Sequence, residues 1–144
     1  GQAMALYYGM FEENEYNQAF EHLLKLIADK NDHFDTGVLG GRVIFRVLAE
    51  NGYADLAYKM ITRPDFPSYG NWIIRGATTL WETFHNEGDI IYSQNHHFWG
   101  DISAWFYTYL AGIRINPTGR NVNEVNIMPC FVKKINLFME QWDI

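Results

Sequence analysis

Three segments carry the residue types that could do chemistry: Pro67-Ser68-Tyr69-Gly70-Asn71-Trp72, Ala77-Thr78-Thr79-Leu80-Trp81-Glu82, and Ser93-Gln94-Asn95-His96-His97-Phe98-Trp99-Gly100. Together they set aromatic rings, two adjacent histidines and a carboxylate among glycines and turn formers, where a helical protein ordinarily has a plain connector. Glu82 has two readings. Thr79-Leu80-Trp81-Glu82 fits the S/T-x-x-E capping box, in which hydroxyl and carboxylate satisfy free backbone N–H groups at a helix start. Alternatively, Glu82 is a catalytic carboxylate beside Trp81, whose indole can cover the apolar face of a sugar while its N–H finds a partner. Spacing leaves both open.

Other chemistries lack their parts. Glu82-x-x-His85 has the i, i+3 spacing of di-iron carboxylate bundles, but those need a second such pair and further glutamates. No other Glu in the chain has a His three residues on, so no metal site is expected. His96 and His97 are adjacent and point in different directions on a helix or strand, which makes a poor chelate. Cys130 sits in a region of strand pattern without a neighbouring base, and there is no G-x-S-x-G elbow. Gly37-Val38-Leu39-Gly40-Gly41 lacks the P-loop lysine and reads as close helix packing, so no cofactor is expected. What remains is carboxylate chemistry. Glycoside hydrolysis needs two carboxyl groups across the scissile bond. Glu82 could be one of them, and His96 could bond sugar hydroxyls or the reacting water. A His among aromatics also serves as a satisfied structural residue. Asp35, Asp55 and Asp101 read as caps or helix-surface residues.

Helices must position these groups. Met4 to Phe11 reads as the end of one helix, and Asn14 caps a second running to about Asp29, with Tyr16, Phe20, Leu23, Leu24 and Ile27 on one face. Thr36-Gly37 opens a third, stopped by Asn51-Gly52. Tyr53 to Ile61 makes a fourth, closed by Pro64 and Pro67. After a long loop a fifth, short helix is expected near Thr79, ended by the turn His85 to Asp89. A sixth runs from about His97 or Asp101 to Ala111, with Ile113 on its apolar side and Gly112 as its stop. Beyond it, Pro117 to Asn121 reads as a turn, and Val125 with Ile127, Phe131-Val132 and Ile135 to Phe138 read as extended segments. Paired helices followed by strands suggest the end of an all-α unit and the start of a β unit.

Composition bounds the function. The 144 residues suffice for one domain with a real core. At 48% hydrophobic and 19% charged the chain should fold, and no apolar run is long enough to span a bilayer, so no membrane partner is expected. The formal net charge is −6 and the eleven Lys and Arg are scattered, which argues against nucleic acid. Aromatic residues reach 17%, a composition that suits carbohydrate binding and equally an aromatic core. A single cysteine does not fix the redox compartment. The start at Gly1-Gln2-Ala3, without initiator Met, reads as an excised piece of a longer protein.

The succession His33-Phe34-Asp35-Thr36-Gly37, Leu48-x-x-x-Gly52-Tyr53-x-x-Leu56-Ala57-Tyr58, Pro67-Ser68-Tyr69-Gly70, Gly76-Ala77-Thr78-Thr79-Leu80-Trp81-Glu82, Ser93-x-Asn95-His96, Gly100 and Leu110-Ala111-Gly112-Ile113 resembles the last part of the catalytic domain of bacterial α-L-rhamnosidases, glycoside hydrolase family 78. It covers about residues 3 to 128. The resemblance implies a mainly α fold: a partial α/α toroid of helix hairpins over residues 1–120, followed by the first strands of a C-terminal β-sandwich over 121–144. It implies inverting hydrolysis of terminal α-L-rhamnosyl residues in a glycoside or polysaccharide. Glu82 takes the place of the base that activates water, and His96 that of a rhamnose-contacting histidine. Trp81, Asn95, Tyr69 and Trp72 complete the expected substrate-contacting set. Tyr69 stands where the family usually has Trp, and no segment here matches the upstream motif that carries the general acid.

On this reading the chain alone is inactive. The alternative is a non-catalytic helical module that binds a carbohydrate or peptide through the aromatic loop. Bare helix faces on an open piece of a toroid also predict self-association.

Overall fold

The structure is a computed structural model and describes residues 1–85, 88–90, 92–115 and 125–133. It is mainly helical. Helix α1 spans Gln2–Tyr7, α2 Glu13–Asp29, α3 Val38–Glu50, α4 Ala54–Thr62, α5 Tyr69–Ile74 and α6 Asp101–Trp105. A π-helical turn, Phe106–Leu110, continues α6. Strands β1 (Ile113–Ile115) and β2 (Val125–Ile127) pair antiparallel, with Arg114 opposite Asn126.

Helix α3 is the hub, because its apolar residues cover most of its circumference: Val43, Ile44, Phe45, Val47, Leu48 and Ala49 are all buried. It packs against α1, α4 and α6. Its join to α6 is doubly specified. The Trp105 indole donates to the Phe45 carbonyl at 2.9 Å, and Arg46 reaches both Asp101 carboxylate oxygens at 2.9 Å. Asn51-Gly52 ends α3 as expected: Gly52 takes φ +83°, which lets the Tyr53 N–H turn back to the Leu48 carbonyl.

Several boundaries differ from the sequence reading, each for a local reason. Helix α2 starts at Glu13, not at Asn14, because Glu12 and Glu15 form a reciprocal capping box there. The fifth helix is not near Thr79. It lies within the segment read as loop, where Ser68 accepts from the Asn71 N–H and donates to the Arg63 and Asp65 carbonyls. Thr79 to His85 forms no helix, since the backbone of Leu80 and Glu82 bonds to Ser93 and His96. Ile113, expected on the last helix, begins β1 instead. Phe131 and Val132 form no strand, although Val132 is buried. The expected turn at Pro117 to Asn121, the extended segment Ile135 to Phe138 and the domain boundary at 120–121 lie outside the described residues.

At the centre sits an aromatic cluster. Phe34 meets Phe45, Tyr69, Phe84 and Trp99, and Phe84 stacks on Trp72 with centroids 4.2 Å apart. The chemistry-bearing segments enter it through Tyr69, Trp72, Trp81 and Trp99.

Candidate functional site

Glu82 lies on irregular backbone held by cross-chain pairing. Its N–H donates to the Ser93 carbonyl at 2.8 Å, and the Ser93 N–H donates back to Glu82 Oε2 at 3.1 Å. Two residues along, the His96 N–H donates to the Leu80 carbonyl at 2.8 Å, and the Thr79 hydroxyl donates to the Gln94 carbonyl. The reciprocal Thr79–Glu82 cap is therefore absent, and the capping reading of Glu82 falls. Both groups are spent on the 93–96 segment, which brings Glu82, Asn95 and His96 into one paired unit.

Among the described residues no other hydrogen bond reaches the Glu82 carboxylate. The His96 ring is also poised by its surroundings. Its Nδ1 accepts from the Phe98 N–H at 3.2 Å, so in the neutral ring the proton sits on Nε2, which is then a donor. Asn95 is exposed, with its backbone N–H on the Ser93 hydroxyl.

The remaining aromatic candidates are placed differently. Trp81 is 6% exposed, stacked on His85 at 5.0 Å with the Arg75 guanidinium 5.4 Å from its ring centroid. Little of its face is left for a sugar. Arg75 also donates to the His85 carbonyl, and a cleft runs beside the ring between Arg75, Thr79, His85 and Gln94. The structure does not bring Tyr69 and Trp72 to the surface with Glu82: both are in the aromatic core, 8% and 2% exposed. Burial, reinforced by the negative charge of Asp101, pushes the Tyr69 phenol above its ordinary range, and its hydroxyl donates to the Trp99 carbonyl at 3.3 Å. Among the described residues no group of three or more His, Cys, Asp or Glu stands together as a metal site.

Sequence reasoning missed Ser93 and Trp99 as parts of the site. Ser93 acts through its backbone, for which side-chain type gives no signal. Trp99 sends its indole N–H to the Glu82 carbonyl at 2.8 Å, seventeen positions away.

Residues 1–110 match the bacterial alpha-L-rhamnosidase 6 hairpin glycosidase domain. The chain belongs to that family. It is 34% identical over 118 residues to an alpha-L-rhamnosidase of Alteromonas sp. strain LOR, covering 77% of this chain and 13% of that protein. Among solved structures, the alpha-L-rhamnosidase of Dictyoglumus thermophilum shares 36% identity at a TM-score of 0.74, over 80% of this chain and 13% of its own. That of Streptomyces avermitilis, complexed with L-rhamnose, shares 30% at a TM-score of 0.77, over 89% and 13%. The helical part is thus a portion of a six-hairpin glycosidase architecture. The chain spans between 10% and 14% of the length of the curated relatives it matches.

Proposed function

We infer that this chain is one portion of an inverting six-hairpin α-L-rhamnosidase and supplies the general base of its site. The observation that carries the reading is the half-held carboxylate of Glu82: Oε2 accepts from the Ser93 N–H, and among the described residues no second hydrogen bond reaches the carboxylate. A carboxylate held in this way takes a proton as water attacks the anomeric carbon from the face opposite the leaving group. The general acid that protonates the leaving oxygen belongs to a part of the enzyme beyond this chain, about 6.5–9.5 Å from Glu82 across the sugar. Substrates are glycosides or polysaccharides with terminal α-L-rhamnosyl groups, a reading supported by the names of the relatives.

Sugar contacts fall to His96, whose Nε2–H can donate to a hydroxyl, and to Asn95, with Trp81 lining the cleft beside them. Tyr69 and Trp72 act beneath them by holding the aromatic floor. The deciding experiment is p-nitrophenyl α-L-rhamnoside hydrolysis by the complete protein and its Glu82→Gln variant. Loss of turnover by at least about 10³-fold with rhamnose binding and folding retained supports the base. Full activity in Glu82→Gln would remove Glu82 from the mechanism, and an inactive parent would leave a non-catalytic binding module.

A further inference from the structure

We propose that Trp99 is a positioning residue for Glu82, a role that rests on Glu82 being the base. Glu82 has neither helix nor strand to fix it, and among the described residues two of its three hydrogen bonds go to Ser93, itself on an exposed irregular segment. Its neighbours Trp81 and Phe84 reach the core through their rings, which packs the segment without fixing the peptide planes of Glu82 itself. Among the described residues, the hydrogen bond that ties Glu82 to the helical core is the one from Trp99 Nε1 to its carbonyl, at 2.8 Å.

Trp99 can serve as an anchor because its own place is overdetermined. It is 6% exposed and stands two residues before α6. Its ring meets Phe34 edge-on at 5.4 Å and Phe84 at 4.9 Å, and its carbonyl accepts from the Tyr69 hydroxyl. The ring also lies over Gly41 on α3, where a Cβ would come within 2.6 Å of Trp99 Cζ3. Only glycine leaves room for the indole at that depth. A route of contacts therefore runs from the hub helix through Gly41 and the Trp99 ring to the peptide plane that follows Glu82. Fixing that plane restricts the direction of the Glu82 side chain, and misplacing a reacting group by about 1 Å costs on the order of 10²-fold in rate. The indole N–H is a donor with no acceptor capacity, so this bond cannot reverse its sense.

The test replaces Trp99 in the complete protein by benzothienylalanine, which keeps the two-ring shape and puts sulfur where the N–H was, and separately by 7-azatryptophan, which keeps the N–H. The benzothienyl variant should lose about 10–100-fold in kcat with KM within about twofold of the parent. The azatryptophan variant should restore parental kcat. Parental kcat in the benzothienyl variant would overturn the proposal, as would a fall in kcat/KM carried by KM alone, which marks a packing role. Glu82→Gln is assayed alongside: if it keeps full activity the base assignment fails and the proposal with it, whereas an inactive Glu82→Gln beside a fully active benzothienyl variant defeats the positioning role alone.

Discussion

At Gly112 the backbone takes φ +69°, and a Cβ added there would stand 2.1 Å from the Met128 carbonyl carbon. The Gly112 carbonyl in turn accepts from the Met128 N–H at 2.8 Å, so the turn after the last helix and the chain beyond β2 are pressed together backbone to backbone. Gly112→Ala should destabilise the protein by at least about 1–2 kcal/mol from the left-handed conformation alone, with the clash adding to it, measured by urea unfolding. A parental midpoint would contradict that packing. Trp105 presents the opposite case, a large side chain that fills its site. It is 1% exposed and bonded to the Phe45 carbonyl, so Trp105→Ala removes both volume and a satisfied donor and should cost about 3–5 kcal/mol. Calorimetric Tm and the extent of α3–α6 protection in hydrogen exchange read the loss.

The elements that frame the site are short, and their ends matter more than their lengths. Helix α5 has only six residues, so its Ser68 cap carries an unusual share of its stability. Ser68→Ala removes the acceptor for the Asn71 N–H and leaves two carbonyls without its hydroxyl; a cost of about 1–2 kcal/mol is expected in denaturant unfolding. The loop before α5 is tied back to the α2–α3 connection through Asp65. Hydrogen bonds from Arg63, reinforced by His33, hold the Asp65 carboxyl well below the usual carboxylate range. A carboxyl depressed in the folded state contributes stability above its unfolded value, about pH 4, and loses it as pH falls through the folded value. Asp65→Asn should therefore flatten the fall of Tm below about pH 4, an effect that weakens in high salt because the cluster is exposed. Identical acid profiles for the two proteins would show the cluster to be energetically neutral.

For the molecule as a whole, the site is a matter of what is brought to Glu82 from elsewhere. The isolated 144-residue chain has a candidate base and no counterpart of the acid motif, so it should show no measurable hydrolysis of p-nitrophenyl α-L-rhamnoside. Robust turnover would mean that a second carboxyl within the chain completes the pair. The chain also leaves large apolar side chains in water: Ile73 and Ile74 on α5 are 72% and 67% exposed, and Tyr107 beside α6 is 65% exposed. Such surface favours association, and light scattering on the isolated chain should report dimers or larger species. A monomer at high protein concentration would count against it.

The sequence by itself determined the helix pairs α2 to α4, the stop at Gly52, and the segments that hold Glu82, Asn95 and His96, because apolar periodicity and short motifs are local properties of the chain. It also carried the family, through motifs occurring in order. Local spacing could not decide what Glu82 does. The capping alternative is removed by Ser93, eleven residues on, whose backbone pairs with Glu82 in a way that a helix start would have excluded. The same holds for Tyr69 and Trp72, whose aromatic character suits a sugar and a core equally, and which the packing of Phe34, Phe84 and Trp99 drew inward. Only tertiary structure sets Trp99 against the Glu82 carbonyl, since that hydrogen bond needs the gap at Gly41 and a ring fixed from four sides. Residue types and spacing announce which groups are present; burial and long-range pairing decide which of them stay accessible.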